Sequence, residues 1–465
     1  MATSYQPYSF DPSLYKVRAS YTLAMFQLPR TATAPFCPSE VKGSIAVAPD
    51  LPLAQKLLRY AGPGLLVSVG YMDPGNWATD IEAGSRFGYG LLFVVLLSSL
   101  AAMVLQTLCV RLGLVTQKDL AQLCRDRYPR SVGALLWLGA ELAIIACDLA
   151  EVLGSALALH LLFGLSLPTG ILVTALDTVL VLGLQGAGFR RVEAIVLGLV
   201  ATIAVCFALE LALAPPQWGG PAGVWAGFVP SLQRLQEPGA LYLAIGIVGA
   251  TVMPHNLYLH SSVVQTRRYA PTPAGRRDAV RFASLDTLVS LSLALLVNAA
   301  ILTLAASTFH RSGHHDVADI ADAYRLLEPI VGGTLAALLF GLALLAAGQS
   351  STFTGTVAGQ VIMEGFLHLK IPCWQRRLIT RLLALVPAYL GVRWLGDAGV
   401  GQMLVLSQVV LSFQLPFAMW PLIRFTSDRA LMGEFASGPW RRLLAWSLFG
   451  LISAANVWLV LQVLS

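Results

Sequence analysis

Two short strings hold the residues best suited to chemistry. Asp73-Pro74-Gly75-Asn76 sets a carboxylate and an amide three residues apart, and Met253-Pro254-His255-Asn256 sets a thioether beside an imidazole and a second amide. Asparagine is scarce: of the four in the chain (Asn76, Asn256, Asn298 and Asn456), two fall in these strings. Both strings interrupt long apolar stretches. An unpaired carboxylate in hydrocarbon costs at least about 2–3 kcal/mol, and no Lys or Arg stands near Asp73 in its stretch. A cation is the economical counterion. Oxygens alone suit Mg²⁺ and Ca²⁺, whereas the Met253 sulfur shifts a mixed site toward late first-row divalent ions and Cd²⁺. Main-chain carbonyls freed at the interruptions, such as those of Gly70 and Ala250, extend the donor set.

The elements that must position these groups follow from composition. Of 465 residues, 56% are hydrophobic and 12% charged, with a mean hydropathy of +0.69. A soluble fold cannot hide that much apolar surface, so the chain is a polytopic membrane protein. The apolar runs have helical length for about 30 Å of hydrocarbon, not the short alternating segments of a barrel. They fall at 58–86, 89–111, 132–163, 169–187, 193–214, 240–266, 283–309, 330–365, 378–395, 399–424 and 441–463, which makes eleven spans. Pro74 and Pro254 each remove a donor and crowd the preceding turn, so spans 1 and 6 should break near mid-membrane. Matching breaks five spans apart are the mark of an inverted-repeat transporter, its site between the two broken helices. The repeats are expected over 55–215 and 240–425, with span 11 appended, all within a transporter domain over 53–465. Residues 1–52 read as a disordered cytoplasmic tail. Loops after even-numbered spans carry seventeen Lys and Arg and loops after odd-numbered spans five, which places the N-terminus in the cytoplasm and the C-terminus outside. The net charge of +6 therefore reports topology, not a nucleic-acid partner. The six cysteines form no paired spacing. Arg outnumbers Lys 26 to 5 and there is no Asn-x-Ser/Thr sequon, which points to a bacterial inner membrane.

Protons need their own groups. Glu141, Asp148 and Glu151 stand seven and three apart in span 3 and share one helix face, as a relay or as partners for basic residues. His255, whose side chain ordinarily titrates near neutrality, is either a relay or a hydrogen-bonder at the break. Gln402 and Gln414 suit interhelical hydrogen bonds. His314 and His315 share a loop with Asp316 and Asp319, a solvated loop or an accessory metal site. No HExxH string occurs, and His255 and His260 are five apart, off one face, which counts against an intramembrane metalloenzyme. An amino-acid or amine symporter is the rival transporter reading; a receptor or scaffold would not need two ligand-bearing breaks.

The paired strings resemble the signature motifs of the Nramp family of divalent-metal transporters. The likeness continues through Gly249-Ala250-Thr251-Val252 and Tyr258-Leu259-His260-Ser261, through Asp148-Leu149-Ala150-Glu151, and through Trp374-Gln375-Arg376-Arg377-Leu378, so that it covers roughly residues 55–460. The resemblance implies an all-α, LeuT-like 5+5 inverted repeat and proton-coupled import of Mn²⁺ or Fe²⁺, with Cd²⁺, Co²⁺ and Zn²⁺ as further cargo. It implies as metal ligands Asp73, Asn76, Met253 and the Ala250 carbonyl, with the Gly70 carbonyl in one conformation and Gln408 in the occluded state. It implies that Asp148 and Glu151 accept the proton after Asp73, and that Arg267 and Arg377 hold that path. Magnesium-selective relatives lack the Met253 sulfur. No cofactor, enzyme activity or obligate protein partner is implied; the partners are metal ion, proton and lipid bilayer.

Overall fold

The computed structural model describes residues 41–176, 189–221, 223–317, 319–331, 334–367, 373–396 and 399–464. Among the described residues, the apolar runs become helix. Span 1 is α2 (Pro63–Val69), a tight turn at Gly70–Met72 and α3 (Pro74–Phe87), preceded by the amphipathic α1 (Leu53–Tyr60). Span 2 is α4 (Leu92–Thr116), followed by the short α5 (Leu120–Arg127); span 3 is α6 (Arg130–Phe163). Span 4 begins as α7 (Leu167–Thr174), and most of its expected range lies outside the described residues. Spans 5 and 6 are α8 (Phe189–Leu213) and the pair α9 (Ala240–Thr251) and α10 (Pro254–Val263). Spans 7 to 11 are α11 (Pro273–Ala305), α13 (Thr334–Leu367), α14 (Cys373–Leu395), α15 (Val400–Ser427) and α16 (Pro439–Leu464), with α12 (Ile320–Val331) lying between spans 7 and 8.

Both expected breaks are present. Asp73 takes an extended conformation (φ −73°, ψ 166°) and caps α3, its Oδ1 accepting from the Asn76 N–H at 2.8 Å. Val252 (ψ 74°) and Met253 (ψ 126°) leave the helical region between α9 and α10. A proline opens the second half-helix each time, where its missing N–H does no harm.

The half-helices are held at close range. Trp77 of α3 packs on Phe207 of span 5 (ring centroids 4.8 Å) and Phe340 of span 8 (5.1 Å). Gly84 lies so close to span 7 that a Cβ would overlap the Leu302 carbonyl, and at Gly113 of span 2 one would overlap the Ser261 carbonyl in span 6. Small residues at such crossings let backbones approach where lipid offers no hydrophobic drive.

The tail expectation is corrected over its last residues. Ile45–Ala46 forms a strand that pairs in parallel with Arg267–Arg268 at the end of span 6, and Val41, Ile45 and Val47 are buried. These apolar side chains alternate, as one buried strand face requires, so this stretch is ordered strap. Residues 1–40 lie outside the described residues.

Candidate metal site

The site is assembled from main-chain consequences of the two prolines. A helix carbonyl at position i accepts from the N–H at i+4. Pro74 has none, so Gly70 loses its donor; Pro254 has none, so Ala250 loses its donor. The two breaks also share a pattern: Asp-Pro-Gly-Asn in one, Met-Pro-His-Asn in the other. Each therefore offers a side chain before its proline, an amide two residues after it and a freed carbonyl four before it.

Tertiary packing brings these offers together. The turn at Gly70–Met72 packs on α9. A Cβ at Gly70 would overlap the Asn256 amide, so the second break touches the first. Gln408 of span 10 is wedged between both: a Cβ at Gly75 would overlap its side-chain amide, and one at Gly249 would overlap its main-chain carbonyl. Met253 packs with Cys147 of span 3 and Leu411 of span 10, and Cys147 stands within Coulombic range of Asp73.

Asp73, Asn76, Met253, Asn256, His255 and Gln408 are each 1% exposed or less. Asp73 Oδ2, Asn76 Oδ1, Asn256 Oδ1 and Gln408 Oε1 have no hydrogen-bond partner, nor does either ring nitrogen of His255. Buried oxygens without a donor are costly, and a group of them beside a thioether fits a cation of intermediate softness. Neighbours fix the frame. Asn298 of span 7 donates to the Tyr71 carbonyl at 2.8 Å, and the Tyr71 hydroxyl accepts from Gln106, whose Oε1 meets His260 Nδ1 at 2.9 Å.

The chain is similar to known proteins over most of its length. The family model described as "Natural resistance-associated macrophage protein-like" matches residues 64–462. The chain belongs to the Nramp family. It is 68% identical to the divalent metal cation transporter MntH of Ralstonia nicotianae, covering 94% of this chain and 98% of that protein, and 67% identical to MntH 1 of Pseudomonas aeruginosa with the same coverage. Among solved structures, the Eremococcus coleocola manganese transporter is similar with a TM-score of 0.83 at 39% identity, covering 90% of this chain and 89% of that one. The symporter Mhp1, at 14% identity and a TM-score of 0.57, shares the fold, the LeuT-like arrangement that the family resemblance implies.

The remaining expected residues of this Nramp chain fall into separate groups. Asp148 and Glu151 are buried on span 3, where Gly355 of span 8 packs against both, while Glu141 is only half-buried and accepts from Trp137 at 3.0 Å. His255 stands within Coulombic range of Asp148. Arg267 lies at the far end of span 6, paired with Glu193 at 2.8 Å and donating to the Arg59 and Ala61 carbonyls. Arg377 belongs to α14, but its side chain lies outside the described residues. One turn on, Arg381 is buried 3.9 Å from Glu151 and donates to the Thr174 carbonyl. Sequence reasoning missed Arg381, Glu193 and a site role for Asn256. The signals were present: Arg381 shares a face with Arg377 at i+4, Glu193 follows Arg190 by three, and Asn256 repeats the spacing of Asn76.

Proposed function

We propose that this chain imports divalent transition-metal ions, Mn²⁺ and Fe²⁺ foremost, across a bacterial inner membrane in symport with protons. The single observation that carries the reading is the donor set at the paired breaks: carboxylate, amide oxygens, thioether and two proline-freed carbonyls, enclosed between spans 1, 6 and 10. The family membership and the metal-transporter relatives support it.

In this reading the ligands are Asp73, Asn76, Met253 and the Ala250 carbonyl, with the Gly70 carbonyl and Gln408 joining as the site closes. An arriving cation favours the ionised form of Asp73, and its proton leaves past His255 to Asp148 and Glu151. Arg381, against Glu151, and Arg267, near the cytoplasmic end, hold that route electrostatically. The N-terminus faces the cytoplasm and the C-terminus the exterior, so an inside-negative potential favours cation entry by about 2.3 kcal/mol per charge per 100 mV.

The test is Mn²⁺ uptake into proteoliposomes with an imposed pH gradient. Asp73→Ala is expected to abolish uptake while the protein remains folded and inserted. Full retained uptake would overturn the reading.

A further inference from the structure

The segment between spans 7 and 8 holds a second donor set, remote from the breaks. Span 7 does not end as a regular helix. Its last turn, Ala306–His310, widens to the i→i+5 pattern, a rare form that concentrates at functional sites. The widened turn sets His310 against the outer end of α3, where its Nδ1 lies 2.8 Å from the Ser85 carbonyl. The loop then folds back so that His315 Nδ1 stands 3.2 Å from the same His310 nitrogen, the two rings 4.6 Å apart and steeply inclined.

In this structure His310 Nδ1–H donates to the Ser85 carbonyl; a metal taking the place of that proton would meet two imidazole nitrogens and one carbonyl oxygen. Ser85 belongs to the last turn of α3, where carbonyls lack intrahelical partners and the helix dipole is negative. With metal–ligand bonds near 2.1 Å, these separations correspond to angles of roughly 85° and 100° at a shared ion, the cis positions of an octahedron or a flattened tetrahedron. His315 opens onto an exposed cleft of about 450 Å³ that Asp316 and Asp322 also line, with the Arg325 charge in that cleft taken up by Asp322 at 3.4 Å. Arg234 and Arg311 line a separate cleft that also reaches His310, so a cation is favoured from the cleft that holds Asp316 and Asp322. The third donor is main chain, which is why no cluster of three His, Cys or acidic side chains marks the place among the described residues.

We propose that His310, His315 and the Ser85 carbonyl form an accessory site for a first-row divalent ion such as Ni²⁺, Cu²⁺ or Zn²⁺, chosen by its two imidazoles. The site lies at the other end of the half-helix whose start carries Asp73. The Ser85 hydroxyl already donates to the His314 carbonyl and accepts from the Val317 N–H, each at 3.0 Å. A bound ion adds a third tie between this loop and α3. Its placement outside the cell rests on the import reading above; the donor geometry does not.

The test uses the full-length Asp73→Ala protein in detergent, so that the transport site contributes no binding. Ni²⁺ titration by calorimetry is expected to show one site, and Cu²⁺ electron paramagnetic resonance to show two coordinated imidazole nitrogens. Adding His315→Ala, at an exposed position that the fold does not need, should weaken Ni²⁺ binding at least about tenfold and remove one nitrogen from the spectrum. Adding His314→Ala instead should change neither: His314 also lines the cleft, but the proposed donors do not include its ring. Equal Ni²⁺ affinity with and without His315, or loss on removing the His314 side chain alone, overturns the proposal. Failure of the import reading would show separately, as Mn²⁺ uptake retained by Asp73→Ala.

Discussion

At Asp73 the local chain and the membrane make opposite demands. As an N-cap it satisfies the Asn76 N–H, an ordinary stabilising role. Its other oxygen is buried without a donor, which a cap does not need and a cation ligand does. Met253 carries the same logic into selectivity. Its sulfur is worth little to a hard ion, so Met253→Ala should let Ca²⁺ or Mg²⁺ compete more strongly while part of the Mn²⁺ uptake survives; competition assays with each ion check this. The glycines at the site are there for distance. Gly249→Ala would drive a Cβ into the Gln408 carbonyl and the Ser412 side chain, and a backbone atom cannot swing aside. Mn²⁺ uptake is expected to be lost, whereas Gly198→Ala, with nothing within 4 Å, should leave it unchanged.

At the scale of elements, prolines create orphan carbonyls and neighbouring elements decide what becomes of them. In span 10, Pro416 deprives Ser412 of its i+4 donor, and Asn456 of span 11 supplies one at 2.8 Å while accepting from the Ser412 hydroxyl at 2.9 Å. The appended eleventh span thereby braces the helix that holds Gln408. The connection between spans 2 and 3 makes a pH-dependent prediction. Asp119 caps α5 through a reciprocal pair with Gln122, and burial pushes its carboxyl up to about 7 against the opposing hydrogen bond from Gln122. The unfolded value is near 3.9, so the folded chain binds the extra proton between these limits. That contribution to stability is complete below about pH 4 and is lost as pH rises through 7. Asp119→Asn, which still caps, is expected to flatten the fall in melting temperature between pH 4 and 7, measured by thermal unfolding in detergent.

At the scale of the molecule, the end of span 6 gathers distant parts of the chain. Arg267 binds Glu193 of span 5 and the carbonyls of Arg59 and Ala61 before span 1, while its backbone pairs with the strap at Ile45–Ala46. The Arg267–Glu193 pair is buried, its side chains 1% and 5% exposed. Removing one partner leaves a buried charge uncompensated, at a cost of about 3–5 kcal/mol. Glu193→Ala should therefore lower the thermal midpoint markedly, while the exposed pair Arg325–Asp322 should be worth under about 1 kcal/mol. Comparing Glu193→Ala with Asp322→Ala in one melting assay reads the difference.

The apolar helices and the two breaks were legible in the sequence because the bilayer makes them local. Hydrocarbon requires each crossing helix to satisfy its own backbone, so apolar length reports a span, and a mid-span proline reports a break with its freed carbonyl. Asp73, Asn76 and Met253 could be proposed as ligands from the residues alone, and Gln408 from the family likeness. Tertiary structure decided which side chains meet. Arg381 lies against Glu151, Glu193 answers Arg267, Asn256 touches Gly70, and His315 meets His310. Those pairings join residues of different elements, and their partners are set by how helices cross in space, which periodicity along one helix does not encode.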